Sequence, residues 1–416
     1  MQATSQYVTR DLETDIRSCL EMPEIVAVTG ARQCGKTTLL NKILSKLPSQ
    51  EVSTIDFEDR QELLLFQNDI KAFAELHVKD KKYLFIDEFQ YATDGGKLLK
   101  FIYDNFPVKI FITGSSSTEL SVQSIQYLVG RIFVFTLYPF SFNEFLRFKN
   151  SKLAAFLSET ESLSDEVILR INKYYNEYAL YGGYPRVVLA GNDRERELVL
   201  KNIYNTYLLK EIRQILNYPS DTKLEKLIQA LALQIGSSCN YNELSNLTGF
   251  RHNDLIEALD ILSHTFVIAP CLPFYTNKSL ELIKSPKFYF VDNGFRNTAL
   301  KNFSPFSTRN DSGAIHENFL ATELLKKEFA LRYWRTKSKA EVDFIIESRG
   351  NQIPLEVKST LKNPSITKSF RSFLKKYKPP QAFVASENLY ADKVITDIPV
   401  CFRPLWATIQ VLGEGA

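Results

Sequence analysis

Short apolar runs alternate with amphipathic stretches through the first third of the chain. Residues 24–113 hold the runs EIVAVT, EVSTIDF, KYLFID and VKIFIT, and helical stretches such as KTTLLNKILSKL separate them. Strands and helices in regular alternation are typical of a parallel sheet with helices on its faces. We expect the run RIFVFTLYPF (131–140) to be the next strand. The pattern therefore predicts an α/β domain in this part of the chain.

The pattern becomes mostly helical over residues 141–235, with a break at GGYP (182–185). Residues 223–268 then predict three short helices, and two apolar strands follow, FVIAPCL and KFYFVD. Beyond Gly313 a helix precedes the runs EVDFIIES and QIPLEVKS. These two runs predict a pair of antiparallel strands around the RGN turn (349–351).

The composition is that of a folded protein with several domains. A length of 416 residues suggests roughly two to four domains, and 44% apolar with 24% charged residues excludes disordered, collagen-like and low-complexity chains. The net charge of +3 does not by itself indicate a partner. No apolar run reaches the roughly 18 residues that span a bilayer, the N-terminus lacks a secretory apolar core, and the five cysteines are far apart. We therefore expect reduced thiols in a cytoplasmic protein without a membrane partner.

One stretch of the chain fits the pattern GxxxxGK[ST] without a mismatch. The octet GARQCGKT (30–37) follows an apolar strand and precedes a helix, as the motif requires. Glycines let the loop turn its N–H groups towards phosphates, Lys36 reaches the β- and γ-phosphates, and the Thr37 hydroxyl ligates Mg²⁺. The following helix directs its positive end at the same anion. The predicted ATP-binding residues are Gly30, Ala31, Arg32, Gln33, Cys34, Gly35, Lys36, Thr37 and Thr38.

The apolar run YLFIDE (83–88) ends in two carboxylates. Asp87 occupies the position of an aspartate that holds Mg²⁺, and Glu88 that of a catalytic base that polarises the attacking water. Two further residues have open roles. Ser115 is either a γ-phosphate sensor or a helix cap, and Arg131 is either an arginine finger for a neighbouring subunit or a solvated charge.

A second group of charges lies in the C-terminal strand pair. Glu356 and Lys358 share one face of their strand because side chains alternate, and the hairpin can bring Asp343 to that face. Asp343 and Glu356 could ligate Mg²⁺ while Lys358 activates a water, and Glu317 in the preceding helix could add a fourth group. The alternative is a pair of edge strands with solvated charges. The apolar neighbours of these residues favour a site, because buried charges are costly.

Together the motifs resemble a known family. GARQCGKTT, YLFIDEFQ, TGSSS, LVGRIFVFTLYPFSFNEF and GGYPRVV are similar to the prokaryotic archaeal-type AAA ATPases related to the STAND class. AEVDFII with IPLEVKS is similar to the PD-(D/E)xK nuclease pattern, although Val342 stands where that pattern has proline. The resemblance implies an ATP-hydrolysing protein with a winged-helix segment and a restriction-endonuclease-like C-terminal domain. The implied domains are 1–150 (P-loop AAA-type ATPase), 151–221 (helical lid or linker), 222–300 (winged helix) and 301–416 (nuclease-like, α/β).

These observations favour an ATP- and Mg²⁺-dependent protein whose nucleotide state controls a nuclease-like domain acting on DNA or RNA. The alternative is a nucleotide-dependent regulator or scaffold that binds nucleic acid or protein without cleavage. Basic clusters at 326–339 and 368–378 flank the strand pair, and Tyr333 and Trp334 interleave with the first; this suits either a nucleic-acid surface or a solvated helix face. The predicted recognition helix, 251–262, carries several acids and favours an intramolecular or regulatory role. An arginine finger would require a homo-oligomer.

Overall fold

A computed structural model of the chain describes residues 7–114, 125–160, 163–212, 221–275, 281 and 284–414. The chain falls into two compact units, Met1–Phe140 with His264–Phe266 and Ser141–Ser263 with Val267–Ala416. Within the described ranges, none of the helices is both long enough and apolar enough to cross a membrane. The predicted finer division into four domains stays a prediction.

A five-stranded parallel sheet forms the centre of the first unit. Its strands are β1 (Ile25–Thr29), β2 (Val52–Asp56), β3 (Tyr83–Asp87), β4 (Lys109–Gly114) and β5 (Ile132–Thr136), and its helices are α1 (Leu12–Ser18), α2 (Lys36–Leu44), α3 (Arg60–Asn68), α4 (Ile70–His77) and α5 (Gly95–Asn105). The strand order is β2-β3-β4-β1-β5. Strand β1 is buried along its whole length, as expected of a parallel strand covered on both faces. The predicted α/β parallel sheet is confirmed.

Aromatic side chains fill the core of this unit. Phe57, Phe66 and Phe73 are fully buried in one cluster. The ring centroids of Phe57 and Phe66 are 5.0 Å apart, and those of Phe66 and Phe73 are 5.1 Å apart. Tilted and edge-on contacts of this kind add to the stabilisation from apolar burial. Helix α3 begins where it does because the Asp59 carboxylate accepts a hydrogen bond from the Gln61 N–H.

The second unit begins with helices. They are α6 (Phe142–Lys149), α7 (Ser151–Glu159), α8 (Asp165–Tyr181), α9 (Pro185–Val188) and α10 (Asp193–Ile203), followed by a π-helical segment, Tyr204–Glu211. Three more are α11 (Asp221–Leu233), α12 (Tyr241–Thr248) and α13 (His252–His264). The predicted helical stretch, its break at GGYP and the three short helices after it are confirmed.

Two sheets complete this unit. Their strands are β6 (Ile268–Pro273), β7 (Lys287–Phe290), β8 (Arg332–Arg335), β9 (Glu341–Val342), β10 (Phe344–Ser348), β11 (Asn351–Val357), β12 (Ala382–Ser386), β13 (Ala391–Ile395) and β14 (Ile398–Pro404). One sheet has the order β7-β6-β8-β9 and the other β10-β11-β12-β14-β13. The remaining helices are α14 (Asn293–Leu300), α15 (Ser312–Lys326), α16 (Lys368–Tyr377) and α17 (Leu405–Glu414).

The predicted C-terminal hairpin is confirmed. Strands β10 and β11 are antiparallel, with Phe344 opposite Leu355, and β11 and β12 are parallel. Strand β8 also pairs in parallel with β6, where Leu272 lies opposite Arg332. Backbone hydrogen bonds therefore join strands on both sides of residue 300, where the sequence predicts a domain boundary.

The GGYP break is held by a buried carboxylate. Asp292 accepts hydrogen bonds from the N–H groups of Gly183 at 2.7 Å and Gly294 at 2.8 Å. Gly182 has a φ of +76°, and a Cβ at this position would lie 2.0 Å from an Asp292 carboxylate oxygen. The position therefore requires glycine for two reasons, the left-handed backbone and the close approach of Asp292.

We expect Gly182→Ala to lower the free energy of unfolding by about 2–4 kcal/mol, because it strains the backbone and displaces the buried carboxylate. Gly191→Ala is the matched control, since a Cβ at Gly191 would meet a Glu195 carboxylate oxygen at an ordinary 3.4 Å. Urea unfolding followed by circular dichroism compares the two variants with the parent protein. Equal unfolding midpoints for both variants would contradict the prediction.

Candidate functional site

The predicted phosphate loop connects the end of β1 to the start of α2. Its glycines adopt left-handed backbone angles, with φ of +142° at Gly30 and +97° at Gly35. A Cβ at Gly30 would lie 2.0 Å from the Leu137 carbonyl oxygen, so a larger residue does not fit there. Gln33 also has a positive φ, +62°. The loop geometry explains why the motif needs glycine at both ends.

Lys36 lies buried inside this loop. Its Nζ donates hydrogen bonds to the carbonyl oxygens of Gly30 at 3.0 Å and Ala31 at 3.1 Å. The Cys34 thiol is also interior and donates to the Leu137 carbonyl at 3.2 Å, and burial raises the pKa of this thiol. Cys34 therefore packs against the polypeptide as a neutral thiol.

Not all the predicted loop residues are interior. Arg32 is half-buried, and the side chains of Gln33 and Thr38 are exposed. The structure also adds a residue that sequence reasoning missed. Arg10, which is buried, donates to the Cys34 carbonyl at 3.0 Å and to the Tyr138 carbonyl at 2.6 Å. A lone arginine outside any motif carries no signal in the sequence.

Both predicted carboxylates stand at the end of β3, next to the loop. The Thr37 hydroxyl donates to Asp87 Oδ1 at 3.1 Å, and the Thr113 hydroxyl donates to the same oxygen. Burial raises the pKa of Asp87, although hydrogen bonds from the two threonines oppose this shift. The Glu88 N–H donates to the Thr113 hydroxyl at 3.1 Å, and the Glu88 carboxylate accepts from the Gln90 side-chain amide.

Thr113 is a second residue that the sequence did not single out. It is fully buried near the end of β4, and it contacts Asp87 and the Glu88 backbone together. The sequence favoured Ser115 as the polar group of this strand end, but Ser115 lies outside the described residues. The hydroxyl within the run VKIFIT was the available signal, because a polar side chain in a buried strand needs a partner.

Arg131 lies at the opposite end of the strands from the phosphate loop. It precedes β5, which runs parallel to β1, with Ile25 opposite Ile132. The Arg131 Nε is 3.4 Å from an Asp104 carboxylate oxygen, and the guanidinium lies over the Tyr103 ring. A finger role for Arg131 would therefore need a second copy of the chain.

The C-terminal hairpin brings together the charges that the sequence singled out. Asp343 lies between β9 and β10, and its Oδ2 accepts a hydrogen bond from the Val357 N–H at 2.7 Å. The Lys358 Nζ is 2.8 Å from Glu356 Oε1. Thr367 supports the group from α16, because its hydroxyl donates to Glu356 Oε1 at 2.9 Å.

Glu317 extends this group into a larger buried network. Lys287, the first residue of β7, has a side chain only 1% exposed; its Nζ lies 2.6 Å from a Glu341 carboxylate oxygen and 3.5 Å from Glu317 Oε1. The Tyr289 hydroxyl donates to Glu317 as well. Sequence reasoning missed Lys287, because it belongs to a strand far from the C-terminal acids in the chain. One buried cation therefore balances carboxylates from two elements.

Burial is the largest influence on the pKa values of the carboxyl groups in this network. It raises the pKa of Glu317 to about 7, and the neighbouring Asp343 charge adds to the shift. It also raises the pKa of Asp343 and of Glu356, although Lys287 opposes the first shift and Lys358 the second. Asp343 and Glu356 supply the hard oxygen donors that Mg²⁺ prefers. Among the residues that the structure describes, no three His, Cys, Asp or Glu side chains cluster closely enough to hold a metal by themselves.

The aromatic residues near the strand pair are not exposed to a nucleic-acid partner. Tyr333 and Trp334, which the sequence places among basic residues, are both buried. The Trp334 ring packs edge-on against Phe373, with centroids 5.3 Å apart. The predicted interleaving of aromatic and basic side chains on a nucleic-acid surface is therefore wrong for these two residues.

Three family models match successive stretches of the chain. Residues 22–146 match a family described as an AAA domain, and residues 172–305 and 312–401 match two domains of unknown function, DUF8612 and DUF4143. An uncharacterized protein of Haemophilus influenzae is 28% identical over 77% of this chain and 79% of its own length. The protein MJ1544 of Methanocaldococcus jannaschii is 28% identical over 82% of this chain and 76% of its own length. The solved Walker-type ATPase of Pyrococcus abyssi covers 71% of this chain and 96% of its own, at 16% identity and a TM-score of 0.47.

Proposed function

We propose that the nucleotide state of this protein controls a nuclease-like site in the C-terminal part of the chain, and that this site acts on DNA or RNA. The proposal starts from the AAA-type P-loop ATPase domain of residues 22–146. The observation that carries the proposal is the convergence of Asp343, Glu356 and Lys358 at one strand end, where Glu356 is buried and the other two are half-buried. Buried charges are costly unless they are paired or have a task. The same chain thus holds groups suited to ATP chemistry and groups suited to phosphodiester chemistry.

In the nucleotide site, Lys36 binds the β- and γ-phosphates and the loop N–H groups surround them. Thr37 and Asp87 would hold Mg²⁺, and their oxygens, already 3.1 Å apart, are the donor types that this ion prefers. The ion, when bound, neutralises charge on the phosphates. Glu88 polarises the attacking water, and Thr113 fixes the backbone of Glu88 through the bond to its N–H.

In the second site, Asp343 and Glu356 would hold Mg²⁺, which supplies Lewis-acid polarisation of the phosphate when bound. The hairpin and Thr367 fix both carboxylates. Lys358 orients the attacking water from its place beside Glu356. Glu317 shapes the charge of the site through its interaction with Asp343.

Lys358→Ala tests the proposal. We expect metal-dependent cleavage of DNA or RNA to fall by at least about 100-fold, because a group that positions or activates the water typically contributes that much. Lys362→Ala is the matched control, since Lys362 is exposed on the loop that follows. The assay incubates the full chain with single- and double-stranded DNA and RNA, with Mg²⁺ or Mn²⁺, and with or without ATP.

Two results would count against the proposal. Equal cleavage by the Lys358 and Lys362 variants would remove Lys358 from the chemistry. Absence of cleavage on every substrate, with ATP hydrolysis still measurable, would remove the nuclease function altogether.

The second candidate function is a nucleotide-dependent regulator or scaffold that binds nucleic acid or protein without cutting. It is favoured by the finding that, in the described part of the chain, acidic side chains alone do not assemble a metal cage. Such a protein would bind nucleic acid in EDTA, and the nucleic acid would remain uncleaved after Mg²⁺ is added. Glu88→Gln separates the two forms of this candidate, because a scaffold would keep its binding without ATP hydrolysis.

A further inference from the structure

Helix α16 presents a row of unneutralised positive charge. Its apolar side, with Phe370 and Phe373, is buried. The helix contains no acidic residue. Within the ranges that the structure describes, none of its exposed cations forms an ion pair. These cations are Lys368, Arg371, Lys375, Lys376 and, just beyond the helix end, Lys378.

The helix begins directly at the nuclease-like site. Thr367 is its N-cap, and its hydroxyl oxygen accepts a hydrogen bond from the Phe370 N–H at 3.1 Å. The same hydroxyl donates to Glu356 Oε1 at 2.9 Å. Lys368 is the first residue of the helix, where positive charge opposes the helix dipole, so helix stability does not account for it. Positive charge at this end suits a polyanion that approaches Glu356.

The surroundings of the helix distinguish between two kinds of polyanion. Single-stranded nucleic acid is held largely by stacking of bases on accessible aromatic side chains. The aromatic residues of α16 and β8 point inward instead: Phe370, Phe373, Tyr333 and Trp334 are buried, and Tyr377 packs against Phe373 with ring centroids 4.5 Å apart. Duplexes are held by cations that neutralise backbone phosphates. Helix α16 thus offers cations for backbone phosphates but no accessible aromatic rings on which bases could stack.

The spacing of the cations also fits a duplex. Lys368, Arg371 and Lys375 are three and four residues apart, which places them on one side of the helix. At about 1.5 Å per residue they extend over about 10 Å, which is about three base-pair steps of 3.4 Å. We propose that this basic face of α16 binds the phosphate backbone of double-stranded nucleic acid, without reading its sequence, and leads the backbone to Glu356. The inference rests on the proposed function for the identity of the site, but binding can be measured without cleavage.

The experiment measures binding of a short fluorescein-labelled DNA duplex of mixed sequence to the full chain. Fluorescence anisotropy is recorded in EDTA over a range of salt concentrations, with an RNA duplex and single-stranded DNA as further probes. The double variant Arg371→Gln/Lys375→Gln is compared with Lys152→Gln/Lys173→Gln, which removes the same charge from exposed positions elsewhere in the same unit.

We expect the α16 variant to bind both duplexes at least about tenfold more weakly at low salt, and its slope of log Kd against log salt to fall by about two. The control should match the parent protein. Equal slopes for the two variants, absence of duplex binding by the parent protein, or tighter binding of single strands than of duplexes would overturn the inference. If duplex binding depends on α16 but no cleavage occurs in Mg²⁺, the inference about α16 is supported and the proposed nuclease function is wrong.

Discussion

Replacing Lys287 with methionine should lower the free energy of unfolding by about 3–5 kcal/mol, the usual cost of removing one partner from a buried ion pair. Burial alone would lower the pKa of Lys287, but Glu317 and Glu341 raise it above its ordinary value, so the ammonium is charged in the folded protein. Methionine fills similar space without the charge. Glu317 would then lose the ammonium 3.5 Å from its Oε1, and Glu341 would keep the Arg335 guanidinium, whose Nε is 3.4 Å away.

Lys284→Met is the matched control for this prediction, because Lys284 is exposed and lies in the same segment. Thermal and urea unfolding of both variants, followed by circular dichroism, measure the effect. If the Lys287 and Lys284 variants unfold at the same urea concentration, the Lys287 ammonium does not stabilise the folded protein as predicted. A Lys287→Arg variant provides a second check. It keeps the charge and should therefore unfold at a higher urea concentration than the methionine variant.

Replacing Glu88 with glutamine should reduce ATP hydrolysis by at least about 100-fold while ATP binding persists, because glutamine cannot act as a general base. The change keeps the size of the side chain and leaves the hydrogen bond between the Glu88 N–H and Thr113 in place. Phosphate release measures hydrolysis, and a fluorescent ATP analogue measures binding.

Two further variants calibrate this experiment. Lys36→Ala should lose binding and hydrolysis together, since we propose that its ammonium binds the phosphates. Glu58→Gln, an exposed change in the same unit, should behave like the parent protein. Hydrolysis at the parent rate in Glu88→Gln would mean that another group polarises the water.

The parallel sheet was predictable because its signals are local. Each strand is a short apolar run, and the loop after β1 has glycines where the backbone takes left-handed angles. The hairpin of β10 and β11 was predictable for the same reason, since two apolar runs flank a short turn that contains glycine. In these cases the pattern within a few neighbouring residues determines the structure.

The supporting groups of both sites depend on contacts between distant segments. Thr113 meets Asp87 because β3 and β4 are neighbours in the sheet. Lys287 meets Glu341 because β6 and β8 join β7 to β9 in one sheet. Trp334 was misjudged because strand β8 is covered, and charged neighbours along the chain do not indicate an exposed side chain. No periodicity within one element reports such contacts.

The pairing of β6 with β8 has a consequence for how this part of the chain can be inherited. A recombination event that joined α15 and the residues after it to an unrelated upstream segment would remove the neighbour of β8. It would also leave Glu341 without the ammonium of Lys287. Such chimaeras would have an open strand edge, and Glu317 would lack the buried Lys287 ammonium. We therefore expect the residues from α15 onwards to fold poorly when they are separated from β6 and β7.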